Sequence, residues 1–156
     1  MIQDSELLRP SLTAEHSSEA AIYSVRTGFL VSFFGGPIAG GIIALLNARR
    51  LRRLKTDWPI GLLAVAVSVG LSWSLAAHQW QWLDGALGRG SGRYLQDLAG
   101  LAFYGVVYSL HRPYYRSMEL LGLEAPNGLR VGIAAAALGY LAEVSLLAAW
   151  ITALRA

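Results

Sequence analysis

Three long runs of this chain carry almost no charge. Residues 27–46 and 60–77 contain none, and residues 131–154 contain only Glu143. A helix rises 1.5 Å per residue, so 20 residues reach about 30 Å, the thickness of a hydrocarbon core. The runs lack the strict alternation of barrel strands. In lipid the backbone must satisfy its own hydrogen bonds, so helices are the remaining solution.

Composition agrees. Hydrophobic residues make up 54% of the 156 and charged residues 15%, against about 25% charged in a soluble domain. Mean hydropathy is +0.43. An intrinsically disordered chain, a coiled coil and a typical soluble enzyme are excluded. The absence of cysteine removes disulfides, thiolate metal sites and cysteine nucleophiles.

The pattern predicts an all-α, integral membrane four-helix bundle with up-down topology. Residues 1–20 read as a polar, acidic tail, with Asp4, Glu6, Glu15 and Glu19 against Arg9. They do not have the basic start and immediate apolar run of a secretory signal. Residues 21–156 form the membrane domain, with helices at about 24–46, 60–78, 95–111 and 131–154. The third is the least apolar, and a re-entrant or tilted short helix is its alternative. Residues 113–122 read as an amphipathic helix lying at the interface, and 85–92 as a glycine-rich connector. Eight basic residues fall in the loops after the first and third helices, against five on the other side. That side becomes cytoplasmic, which leaves both termini outside the cytoplasm. The basic residues flank apolar runs, so they read as topology signals. No nucleic-acid partner is expected.

Four residues stand out. Glu143 sits midway along the fourth run, in register with Gly132, Ala136 and Gly139. A carboxylate at that depth is costly unless it faces the bundle and finds a partner or a proton. Arg26, near the start of the first helix, is its candidate partner. Gly36 and Pro37 interrupt the first helix, where proline removes a backbone hydrogen bond. They read as a packing kink or as a hinge. Small residues recur at helical spacing in every run, which suits close helix packing in lipid.

No metal site is expected: His16, His78 and His111 do not converge, and no paired-ligand spacing occurs. No cofactor motif and no nucleophile–base set is present, so the chain reads as no enzyme. The partners expected are the lipid bilayer and either a protein partner or a second copy.

The stretch Tyr23-Ser24-Val25-Arg26-Thr27, then Phe34-Gly35-Gly36-Pro37-Ile38-Ala39, then Asn47 resembles a pattern in small bacterial multi-pass inner-membrane proteins. In that uncharacterised group a Gly-Gly-Pro-x-Ala element lies in the first helix and an asparagine ends it. The resemblance implies a bacterial inner-membrane location and carries over no active residues. The expected function is that of a non-enzymatic accessory or assembly subunit. The alternative is an oligomeric transporter or channel that uses the intramembrane carboxylate.

Overall fold

The computed structural model describes residues 22–77, 91–120, 122 and 124–156. The acidic tail, residues 85–90 of the glycine-rich connector, His16 and His78 lie outside the described residues. Among the described residues four helices form: α1 (Val25–Arg50), α2 (Leu54–Ala76), α3 (Ser91–Leu120) and α4 (Leu129–Arg155). The expected all-α four-helix bundle is what the chain builds. Three helices, α1, α2 and α4, are long and apolar enough to cross a membrane by length and composition.

α1, however, is not a straight rod. Gly36 leaves the helical region, with φ 69° and ψ −168°, a backbone conformation essentially confined to glycine. The cause is local. A residue before proline is pushed out of the α region, and glycine at that position can take a positive φ. Pro37 then opens a new helix, where its missing N–H is not needed. The two arms, residues 25–35 and 37–50, fold back on each other. The Tyr23 N–H donates to Asn47 Oδ1 at 2.8 Å, although 24 residues of straight helix would hold them about 36 Å apart. Likewise Ser32 Oγ lies against Gly40. The expected kink is therefore a complete reversal, and α1 is a helical hairpin. Its shorter arm is about 16 Å long, about half the thickness of a hydrocarbon core.

The hairpin stands at the centre, and α2, α3 and α4 surround it. Its second arm passes into α2 through a tight turn at residues 51–53, with Arg52 at φ 54°. α2 and α3 are antiparallel: Asp57 meets His111 at one end, and Leu75 lies beside Gly92 at the other. α4 starts at the foot of the hairpin, where Gly128 packs on Tyr23 and Thr27. α4 is 27 residues long, so its far end lies at the opposite face of the bundle. The sequence predicts four alternating spans; the described helices are a hairpin with α2, α3 and α4 packed around it. Ile22 and Arg155 consequently lie at opposite ends of the bundle.

α3 also differs from expectation. It runs unbroken through Pro113 to Leu120, so the segment read as a separate interfacial helix is its last turns. At 30 residues it is about 45 Å long, well beyond the short span expected.

Polarity is distributed as in a membrane protein. The interior holds Ser32, Asn47, Asp57, Ser68, Ser72, His111 and Glu143, while Phe29, Leu62, Val65, Leu98, Leu138 and Leu141 point outward. In water this arrangement would be unstable; in lipid it is the favourable one.

Candidate functional site

The hairpin tip and Glu143 meet near mid-depth. Glu143 lies 14 residues into α4, about 21 Å from its start, and is 5% exposed. One carboxylate oxygen accepts from the Ser68 hydroxyl at 3.1 Å and from the Ile38 N–H at 3.5 Å. Ile38 is the first residue of the second arm with an N–H to give. The positive end of that arm's helix dipole thus faces the carboxylate. Gly36 makes room for it: a Cβ there would fall on the carboxylate itself.

Close backbone approach holds the tip in place. A Cβ on Gly139 would lie 2.5 Å from the Gly35 carbonyl oxygen and 2.8 Å from the Ala39 nitrogen. A Cβ on Gly35 would lie 2.7 Å from the Ala136 Cα, and one on Gly100 would meet the Gly36 backbone at 3.0 Å. α3 and α4 therefore clamp the turn through glycines. The small-residue stripes seen in the sequence build this clamp.

Further polar groups lie on the first arm, α2 and α3. Among the described residues the Ser32 and Ser72 hydroxyls are buried without a hydrogen-bond partner. Ser72 lies one turn beyond Ser68 on α2. Asp97 lies one turn before Gly100 on α3, the glycine that meets the Gly36 backbone.

Of the four residues singled out in the sequence, the structure brings together Glu143, Gly36 and Pro37. It does not bring Arg26 to Glu143. Arg26 is exposed at the hairpin's foot, at the opposite end of the shorter arm from the tip. Among the described residues no basic side chain forms an ion pair with Glu143. The hydroxyl of Ser68 and a backbone N–H take the place expected for the arginine.

A second polar assembly ties the hairpin's foot to its neighbours. Asn47 accepts from the Tyr23 N–H and donates through Nδ2 to the Tyr115 hydroxyl at 3.3 Å. Tyr115 and Tyr104 share a hydroxyl contact of 3.4 Å, and Tyr104 donates to the Val25 carbonyl at 3.1 Å. Ser24 caps the first arm by accepting from the Thr27 N–H. Tyr23, Ser24, the Gly-Gly-Pro element and Asn47 are thereby one device: foot, cap, tip and clasp of a single hairpin.

Nearby, Asp57 on α2 and His111 on α3 form a buried pair, Oδ2 to Nε2, at 3.1 Å. Arg53 lies 3.7 Å from the other carboxylate oxygen, and the second histidine nitrogen is buried without a partner among the described residues. Sequence reading missed this pair, because 54 residues separate its members and neither belongs to a motif. Among the described residues no group of three or more ligands could hold a metal ion. Comparison with protein-family models, with curated proteins and with solved structures found no match.

Proposed function

We propose that this protein is a small transporter or channel, and that Glu143 at the hairpin tip is the station where a proton or small cation binds. The carrying observation is a buried carboxylate near the middle of α4, held against a broken helix and supported by Ser68 and a backbone N–H, with no basic partner among the described residues. A carboxylate kept only for structure is ordinarily neutralised by a neighbouring cation. Irregular backbone at membrane depth is tolerated where it lines a site, and discontinuous helices are a recurrent way to build ion sites. The unpartnered hydroxyls of Ser32 and Ser72 add oxygen ligands close to the tip.

The test is flux through proteoliposomes. Glu143→Gln keeps an oxygen that can accept from Ser68 and Ile38, so the variant should stay folded. It should lose proton- or cation-driven flux. Flux at the wild-type rate in that variant would sink this reading.

One observation favours the accessory-subunit reading as a second. Gly70 on α2 and Gly105 on α3 are exposed, and nothing lies within 4 Å of a Cβ built on either. Small residues facing lipid let another helix approach closely. A stoichiometric companion of different sequence in native mass spectrometry would support it.

For location we propose the bacterial inner membrane, with the hairpin's foot in the cytoplasm. Among the described residues Arg26, Arg49, Arg50, Arg52, Arg53, Lys55, Arg112, Arg116 and Arg130 fall at the foot end, against Arg93 and Arg155 at the other. The fold-back moves Arg26 to the basic side, which steepens the asymmetry that sets orientation. The N-terminal end of the hairpin is then cytoplasmic and the end of α4 is not.

A further inference from the structure

Two cavities adjoin at the hairpin's foot, and both are bordered by Ser24 and Ala125. They differ in character. One, of about 520 Å³, runs between the first arm and the start of α4 and is walled by Leu30, Phe34, Ile133 and Ala136, with Arg26 at its foot end. The other, of about 570 Å³, lies between the foot and the end of α3 and contains Arg112, Arg116, Tyr108 and Tyr115, with Glu119 as its acid. Arg112 and Arg116 are one helical turn apart and both exposed. Among the described residues neither they nor Arg26 form an ion pair.

We propose that the paired cavities bind one anionic phospholipid, its acyl chain along the first arm and its phosphate headgroup against Arg112 and Arg116. The apolar groove opens on the hydrocarbon layer, so a lipid tail is the occupant its surroundings supply. The polar cavity lies at the depth of the basic foot, where headgroups sit. Arginine donates in the planar fork that suits phosphate oxygens. Tyr108 lines the same cavity, and the Tyr115 hydroxyl is held by Asn47 and Tyr104. The site is independent of whether Glu143 carries ions.

The experiment is lipid titration of the delipidated, detergent-solubilised full chain, read by native mass spectrometry. Phosphatidylglycerol should bind at one molecule per chain, about tenfold more tightly than phosphatidylcholine. The double variant Arg112→Gln/Arg116→Gln should lose that preference and keep the weak binding of phosphatidylcholine. Arg49→Gln/Arg52→Gln removes the same charge outside both cavities and should leave the preference intact. Ile133→Trp, which fills the apolar groove, should weaken both lipids. Equal affinity of the wild type for the two lipids would overturn the proposal. So would an equal loss in the Arg49/Arg52 variant, since the attraction would then be a diffuse charge effect. A change from dimer to monomer in the Arg112/Arg116 variant, without change in bound lipid, would make the face a protein interface and also overturn it.

Discussion

At the scale of single residues, Gly36 meets two demands at once. Its φ and ψ are open only to glycine, and its missing side chain seats the Glu143 carboxylate. Gly36→Ala should therefore lose about 1–3 kcal/mol from backbone strain alone, with more from the displaced carboxylate. Thermal unfolding in detergent would show a lowered Tm. In a Glu143→Ala background the same substitution should cost less, because only the backbone part remains; a double-mutant cycle measures the difference. Asn47 is a second such residue. Asn47→Ala leaves the Tyr23 N–H without its acceptor and the Tyr115 hydroxyl without its donor. A loss of about 1–3 kcal/mol is expected, read as a lower Tm with helical content retained. Asn47→Asp keeps an acceptor for the Tyr23 N–H and should recover part of that loss.

At the scale of elements, the hairpin is the one piece whose form decides the others. A straight α1 would put residues 26 and 49 on opposite membrane faces; the folded one puts them on the same face. The chain contains no cysteine, so single cysteines report cleanly. Cysteines placed at Arg26 and at Arg49, both exposed, should be labelled by an impermeant maleimide from the same side. Labelling from opposite sides would restore the spanning rod. Pro37→Ala tests the cause of the turn. It frees Gly36 to become helical, so the variant should show partial labelling of position 26 from the wrong side, or a loss of folded protein. The Asp57–His111 bond joins α2 to α3 near the same foot. His111→Leu leaves a buried carboxylate with only Arg53 beside it. Its destabilisation should exceed that of Asp57→Asn, which keeps a hydrogen bond to the ring.

At the scale of the whole molecule, a hairpin with three helices around it puts Ile22 and Arg155 at opposite ends of the bundle. A cysteine at Arg155 should be labelled from the face opposite to that of Arg26 and Arg130. Labelling from the same face would contradict the described arrangement. The bundle also turns several polar side chains inward and many of its leucines outward. Its stability thus depends on lipid or detergent around it, and on close glycine contacts within.

Much of this was legible from residue order alone. Apolar runs of membrane length dictated helices, because a backbone in hydrocarbon has no other way to satisfy itself. Glu143 stood out because a lone carboxylate in such a run needs a reason. Gly36 and Pro37 stood out because their backbone limits are intrinsic to the residue types. How far those limits bend the chain was not legible, since a kink and a reversal begin with the same dihedral break. Only tertiary contacts chose the reversal: Asn47 clasping Tyr23, and glycines on α3 and α4 clamping the tip. The same reversal sent Arg26 away from Glu143 and gave the carboxylate Ser68 instead. Asp57 and His111 were hidden for the same reason, because nothing along the chain records which distant residues a fold-back brings within hydrogen-bond reach. The kinds of structure came from local backbone and solvation physics; the partners and the topology came from packing between elements far apart in the chain.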